Sequence, residues 1–198
     1  MISHSHKFIF FHGFKTAGVS IRISLQDLIH KDEFWHANNQ HAPATRQLGH
    51  YGKEIFNNYL KFSVVRNPWD RMVSAYFYFR SRDIETANRQ YKNVKYCQEH
   101  TFPEFVFFHK VLSSTNLLSV NRKLVTDYII KFENLDNDFN DLCKRLNIPK
   151  TNLKHITHNT SRPRGHYSTF YDTKTMEEIK KFYKKDIKNF VYTFDNKK

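Results

Sequence analysis

Two short runs of the sequence combine small residues with positive charge in a pattern that suits anion binding. The first is His12-Gly13-Phe14-Lys15-Thr16-Ala17-Gly18-Val19-Ser20, which follows an apolar stretch. A turn of small residues that enters a helix offers backbone N–H groups and the positive end of the helix dipole to an anion. Lys15 adds a mobile cation, and Thr16 and Ser20 add hydroxyl groups. The run does not end on Gly-Lys-Ser/Thr as a Walker A loop does, so hydrolysis of ATP or GTP is not the first expectation.

The second run, Phe62–Tyr76, places an arginine at the end of another apolar stretch. Arg66 has the planar guanidinium that binds phosphate through paired hydrogen bonds, and Ser74 follows about two helical turns later. Asn67-Pro68 suits the start of a helix, with the asparagine as N-cap and the proline at the first helical position. In the alternative interpretation Arg66 caps this helix or pairs with Asp70, and Ser74 is a packing residue.

The apolar pattern predicts strands that alternate with helices. Strands are predicted over residues 7–12, 59–65 and 125–132, and helices over residues 17–29, 51–59, 68–80, 102–112, 136–146 and 173–190, with a short helix after Pro43. Residues 81–100 are predicted as a loop or mobile lid, and residues 150–165 as an irregular basic segment. This order predicts an α/β fold around a mainly parallel sheet. Because ligands bind at the carboxyl ends of such strands, the loops after His12, Val65 and Phe132 are expected to face the site.

Composition and charge narrow the class of partner. The 198-residue chain carries 32 Lys and Arg against 19 Asp and Glu, a net charge of +13. A field of this sign favours an anionic partner, whether nucleic acid, a phosphorylated small molecule, an acidic polysaccharide or an anionic membrane. No apolar run approaches the roughly 20 residues of a spanning helix, and no signal-peptide pattern begins the chain. We therefore expect a cytoplasmic protein with no membrane span.

Neither cysteines nor histidines form a recognisable metal site. Cys97 and Cys143 lack the CxxC spacing of a zinc or redox motif, and we expect them to be reduced thiols. His4-Ser5-His6 and His155-Ile156-Thr157-His158 have no Cys or carboxylate partner at suitable spacing, so no metal is expected.

The two runs, in this order, resemble the sulfotransferase family, in particular the carbohydrate sulfotransferases and their bacterial relatives. Lys15-Thr16-Ala17-Gly18 resembles the family's 5′-phosphosulfate loop, and Phe62–Arg71 with Ser74 resembles its 3′-phosphate motif. Tyr128–Leu135 and Arg164–Phe194 resemble its third-strand and C-terminal segments. The resemblance implies a single domain over residues 1–198 with a P-loop NTPase-like three-layer sandwich. The chain departs from the family at Phe14 and Val19, where a proline and a threonine are usual.

The resemblance also implies a donor, an acceptor class and residue roles. The donor is 3′-phosphoadenosine 5′-phosphosulfate (PAPS), the nucleotide product is 3′-phosphoadenosine 5′-phosphate (PAP), and the acceptor is a hydroxyl of a glycan or another small molecule. Lys15 contacts the phosphosulfate and stabilises the leaving phosphate, and Arg66 and Ser74 bind the 3′-phosphate. The rest of the loop around the phosphosulfate is Thr16, Ala17, Gly18, Val19 and Ser20. Sulfuryl transfer resembles phosphoryl transfer, so positioning and charge stabilisation should dominate, and this scheme requires no metal.

A base must also remove the acceptor proton, and histidine suits that role near neutral pH. His41 is the preferred candidate, because family members often carry a histidine between the two donor motifs; His50 is the reserve and His36 the third choice. Glu133 is an alternative base, although a helix-capping or ion-pairing role is favoured for it. Arg162 and Arg164 belong to the irregular basic segment. They either fold over the nucleotide, attract an acidic acceptor or are solvated.

Two other functions compete with this interpretation. A nucleic-acid-binding protein would explain the charge and the many aromatic residues, and it predicts binding with a steep salt dependence. Its basic residues are scattered, however, and no RNP-like or zinc-finger pattern occurs, so no nucleic-acid partner is expected. A P-loop-like nucleotide kinase is disfavoured by the order of Lys15-Thr16 and Gly18.

Overall fold

The computed structural model describes residues 1–26, 41–109, 111–149, 152–154, 156 and 162–197. They fall into two compact units. The first comprises Met1–Arg66 and Leu112–Ile156, and the second comprises Asn67–Val111 and Thr157–Lys198. His36, the third-choice base, lies outside the described residues. Within the portion described, no helix combines the length and the apolar character that crossing a bilayer requires.

The first unit is built on a four-stranded sheet. Numbered in chain order, its strands are β1 Ile2–Ser3, β2 Phe8–Phe11, β3 Leu60–Val65 and β6 Tyr128–Lys131, and a separate hairpin pairs β4 Ser119–Val120 with β5 Lys123–Leu124. The sheet order is β1-β2-β3-β6, with β1 antiparallel and the other three strands parallel. The predicted α/β class with a mainly parallel sheet is therefore confirmed. The carboxyl ends of β2, β3 and β6 share one edge.

Helices bury both faces of this sheet. The helices of the first unit are α1 Gly18–Gln26, α2 Ala44–Asn58, α6 Ser114–Leu117 and α7 Leu135–Arg145. Phe8, Phe10 and Phe62 point into a core that also contains side chains from α1 and α7. On the opposite face, the ring of Phe11 packs against the ring of Phe56 from α2, with 6.2 Å between the ring centres. Burial on both faces explains why the strands read as continuous apolar runs.

Two serines of α1 accept hydrogen bonds from backbone amides later in the chain. Ser24 Oγ accepts a hydrogen bond from the Lys154 N–H at 2.8 Å, and Ser20 Oγ accepts one from the Ile156 N–H at 3.1 Å. Residues four apart lie on the same side of a helix, so both hydroxyl groups can bond to this later part of the chain. They satisfy these two backbone donors.

The second unit is helical. Its helices are α3 Pro68–Arg80, α4 Tyr91–Glu99, α5 Phe102–Phe108, α8 Thr173–Phe182 and α9 Lys184–Phe190, with 3₁₀ turns at Asn88–Gln90 and Tyr167–Phe170. Asn67 Oδ1 accepts a hydrogen bond from the Trp69 N–H at 3.1 Å, and Pro68 takes the first helical position. The start of α3 therefore forms as its sequence predicts.

A buried ion pair and a buried tyrosine tie α9 into this unit. Arg71 of α3 and Asp186 of α9 approach to 3.9 Å, and both side chains are almost fully buried. Tyr183 donates from its hydroxyl to the Val111 carbonyl at 2.7 Å. Because Tyr183 has non-helical dihedral angles, φ −97° and ψ 23°, the predicted helix over residues 173–190 is divided there into α8 and α9.

Some predicted elements were wrong. Residues 81–100, predicted as a loop or lid, contain α4, which buries Val94 and Cys97. Arg80 donates to the Cys97 carbonyl at 2.9 Å, so tertiary contacts stabilise a helix whose apolar positions are too few to show a period. The predicted helix over residues 102–112 ends at Phe108, and the predicted 51–59 helix is the second half of α2, after a kink at Gly52 with φ 81°.

Candidate active site

The loop between β2 and α1 contains two residues with an unusual backbone conformation. Lys15 and Ala17 both adopt left-handed conformations, with φ 59° and 61°. Such a conformation costs a residue other than glycine about 1–3 kcal/mol, and such residues cluster at functional sites. Thr16 is fully buried, and its hydroxyl donates to the Gly13 carbonyl at 3.0 Å. The hydroxyl of Thr16 therefore closes the turn from within.

Lys15 and Arg66 meet at the shared edge of the sheet. Arg66 Nη1 donates to the Lys15 carbonyl oxygen at 3.3 Å, although the two residues follow different strands. Burial, and then the positive charge of Arg66, lower the pKa of Lys15 to about 8. Lys15 thus remains mostly charged at neutral pH, and the mutual repulsion of the two cations favours an anion between or beside them.

An aromatic ring from the third parallel strand contacts the same guanidinium. Phe132 directly follows β6, and the guanidinium carbon of Arg66 lies 3.8 Å from the centre of its ring. The ring is partly buried and packs against the core of the first unit. This distance is well within the range of a cation–π contact.

His41 is oriented by the loop itself. Its Nδ1 atom lies 2.9 Å from the carbonyl oxygen of His12. Because a carbonyl can only accept, Nδ1 must carry the hydrogen, and in the neutral ring this leaves the lone pair on Nε2. The exposed ring of His41 makes edge-on contacts with the rings of His12 and Phe14, with 4.7 and 5.7 Å between the ring centres. With its lone pair on Nε2, the neutral ring can accept a proton there, as a general base must.

His12 supports this arrangement from inside the unit. Burial, and then the charge of His41, lower the pKa of His12 to about 3, so its ring is neutral. The ring stacks on Phe10 at 5.8 Å. A Cβ atom at Gly18 would lie 1.8 Å from the His12 ring. Only glycine therefore lets α1 begin this close to the histidine.

Comparisons with known proteins identify the family. A model of the sulfotransferase family matches residues 1–193. The chain belongs to the sulfotransferase family. An uncharacterized protein from Archaeoglobus fulgidus is 30% identical over 113 residues, which are 54% of this chain and 84% of that protein. No solved structure matches the chain. The predicted enzyme class, a sulfotransferase, is confirmed by the family match.

The remaining loop residues predicted to bind the donor in this sulfotransferase have mixed environments. Ala17 and Val19 are partly exposed, and Gly18 is buried against His12. The Ser20 hydroxyl accepts from Ile156, but its own hydrogen can still be donated to another group. Ser74 belongs to α3 in the second unit, where it is 5% exposed, and its role stays a prediction.

The alternative bases and the two arginines of the irregular segment lie on different elements of the sulfotransferase. His50 lies exposed on α2 beside the ring of Tyr51, and Glu133 is exposed just after β6. Arg162 forms an ion pair with Asp70 at 2.9 Å inside the second unit. This contact gives Arg162 a structural role, and Arg164 is exposed. Across the described ranges, no three His, Cys, Asp or Glu side chains are grouped as a metal site.

Two residues of this site had no predicted role. His12 orients the favoured base of the sulfotransferase through its carbonyl, and Phe132 lies against Arg66. The signal that both share is their position: each is the first residue after a parallel strand, at the edge where the site was expected. An aromatic or imidazole ring at such a position is well placed to contact the candidate binding side chains.

Proposed function

We propose that this sulfotransferase moves a sulfuryl group from PAPS to a hydroxyl of a glycan or another small acceptor and releases PAP. The observation that carries the proposal is the 3.3 Å hydrogen bond from Arg66 to the Lys15 carbonyl. It brings the two cation-bearing turns together at the carboxyl edge of a parallel sheet. PAPS carries anionic groups at its 5′ and 3′ positions, so two neighbouring cations suit it.

Each donor group has a proposed partner. The ammonium of Lys15 lies near the 5′-phosphosulfate, inside the turn formed by Thr16, Ala17, Gly18, Val19 and Ser20. There it neutralises the charge that grows on the leaving phosphate oxygen. Arg66 binds the 3′-phosphate. Ser74 is proposed to share that phosphate, an assignment that rests on the sequence resemblance alone.

His41 is the proposed general base. As the acceptor oxygen attacks sulfur, Nε2 of His41 removes its proton, and the bond between sulfur and the phosphate oxygen breaks. The electron pair of that bond stays on the phosphate oxygen of PAP, opposite the Lys15 ammonium. The His12 carbonyl, 2.9 Å from Nδ1, stabilises the imidazolium that forms.

The family match runs through both units, and we propose that residues 1–198 work as one catalytic domain with a P-loop NTPase-like three-layer fold. Helices on both faces of the first unit's sheet support this fold. The net charge of +13 supports an acidic acceptor. A cytoplasmic location stays a prediction from the sequence.

The test combines PAP binding by calorimetry with transfer of labelled sulfate from PAPS to a panel of glycans. Lys15→Ala and Arg66→Ala are expected to weaken PAP binding. His41→Ala is expected to bind PAP normally but to transfer sulfate about 10²–10⁴ times more slowly, the usual effect of a lost general base. His50→Ala is the matched control and should retain both properties. A wild-type affinity for PAP no better than that of the Lys15 and Arg66 variants would contradict the proposal.

A further inference from the structure

Phe132 lies at the edge of the candidate site, and the proposed mechanism gives it no role. It opens a 3₁₀ turn, Phe132–Asn134, immediately after β6. Its ring is only partly buried, whereas Ile130, two residues earlier, is fully buried in the core. Tyr128 of β6 is also partly buried against this core, so partial burial alone does not set Phe132 apart. What sets it apart is its neighbour, because the centre of the Phe132 ring lies 3.8 Å from the guanidinium carbon of Arg66.

The guanidinium of Arg66 is therefore restrained by at least two different groups. The Phe132 ring contacts the guanidinium, and the Lys15 carbonyl accepts a hydrogen bond from Nη1 at 3.3 Å. A free arginine side chain has several rotatable bonds whose freedom is lost when it binds a ligand. Contacts that order the side chain beforehand reduce this loss and so strengthen binding.

We infer that Phe132 is a positioning residue for recognition of the donor's 3′-phosphate. It acts through Arg66: the aromatic ring keeps the guanidinium at the sheet edge and oriented toward the nucleotide. The inference rests on the proposed function. It predicts a specific signature, because only ligands that carry the 3′-phosphate profit from a well-placed Arg66.

The experiment compares two nucleotides that differ only in this phosphate, PAP and adenosine 5′-phosphate, by calorimetry. Phe132→Leu keeps an apolar side chain but removes the aromatic face. We expect it to weaken PAP binding about 5- to 30-fold, the range of a partly desolvated cation–π contact. Binding of adenosine 5′-phosphate should change less than about twofold, and Phe132→Tyr, which keeps the ring, should restore the affinity for PAP.

Tyr128→Leu, at the start of β6, provides a matched control near Phe132 in the chain. The guanidinium of Arg145 lies over the Tyr128 ring at 4.6 Å, and Tyr128 packs against the same core. This variant removes a comparable cation–π contact away from Arg66. It is expected to lower stability without changing the ratio of the two nucleotide affinities.

A double-mutant cycle completes the test. In the Arg66→Ala background, Phe132→Leu should have no further effect on PAP binding, because the residue through which it acts is gone. If Phe132→Leu weakens both nucleotides equally, or adds its full effect to that of Arg66→Ala, the inference is wrong and Phe132 only packs. Should the leucine variant fail to fold, Phe132→Met replaces it in both measurements. A wild-type chain that does not bind PAP would instead overturn the proposed function, and this inference with it.

Discussion

Lys15 and Arg66 carry like charges at one edge of the sheet. Without a bound anion, these charges repel each other. Burial, and then the positive charge of Arg66, lower the pKa of Lys15 from 10.5 to about 8. In the proposed mechanism this pKa matters for catalysis, because only the ammonium form of Lys15 can stabilise the charge on a leaving phosphate. An unperturbed lysine would keep its charge well above pH 9.

The pH dependence of kcat/KM should report this shifted pKa. Lys15 is protonated below its pKa, so kcat/KM is expected to fall as the pH rises through about 8. This parameter reflects groups of the free enzyme, whereas a bound anionic donor raises the pKa and leaves kcat less affected. Initial rates of sulfate transfer between pH 6 and 10, at low and at saturating PAPS, provide the measurement.

The Lys15→Arg variant tests whether Lys15 is the group whose titration lowers kcat/KM. Arginine stays charged throughout that range, so the variant should be slower, since its geometry differs, but should lose the decline near pH 8. A decline of the same size and midpoint in Lys15→Arg would assign the titration to a different group.

Sequence alone predicted the meeting of Lys15 and Arg66, because both follow strands whose parallel carboxyl ends share an edge. It did not reveal that the Phe132 ring contacts Arg66 or that the His12 carbonyl orients His41. Those contacts depend on strand register and side-chain rotamers, and neither has a signature in residue spacing. Aromatic residues at strand ends are common for packing reasons, so Phe132 did not stand out.

At the scale of single elements, the start of α1 is set by the close contact between Gly18 and the His12 ring. That ring cannot move aside easily, since Phe10 and His41 contact it as well. The glycine therefore serves close packing, because its dihedral angles are not in the left-handed region.

Gly18→Ala is expected to destabilise the protein and to weaken nucleotide binding. The added methyl group would overlap the His12 ring at 1.8 Å, and overpacking of this kind typically costs about 1–3 kcal/mol. Thermal unfolding and PAP calorimetry measure the two effects. For a chain of this size the midpoint should fall by about 2–4 °C per kcal/mol.

Gly49→Ala, in α2, is the matched control. A Cβ atom there meets nothing within 4 Å, and alanine is favoured over glycine inside a helix by about 0.5–1 kcal/mol. The unfolding midpoint should stay the same or rise. A Gly18→Ala variant as stable as Gly49→Ala would contradict the close contact with His12.

Elements with explicit end signals were predicted more accurately than those without. α3 begins and ends as expected, because Asn67 and Pro68 mark its start and its apolar face is continuous. α4 was missed, since only Val94 and Cys97 are buried in it. The two-residue strands β1 and β4 are too short to show any alternation. Their pairing depends on the neighbouring strands β2 and β5 rather than on their own composition.

At the scale of the whole molecule, the net charge of +13 should accelerate encounters with anionic acceptors. With PAPS held saturating, kcat/KM for an acidic glycan is expected to fall several-fold as ionic strength rises from about 0.02 to 0.3 M, since salt screens exposed charges. A neutral glycan of the same length is the control and should show a much smaller change. If both acceptors show the same salt dependence, the positive field of the protein attracts the donor and not the acceptor.

The first unit combines two stretches of chain that are not consecutive, and this affects how the protein is made. β3, an apolar strand, pairs with β2 on one side and with β6 on the other. During translation the whole of Asn67–Val111 is synthesised between β3 and β6. A nascent chain on the ribosome therefore displays an unpaired apolar strand edge until β6 emerges, and such edges invite aggregation. Yield in a heterologous host should consequently depend on elongation speed and on chaperones that shield this edge.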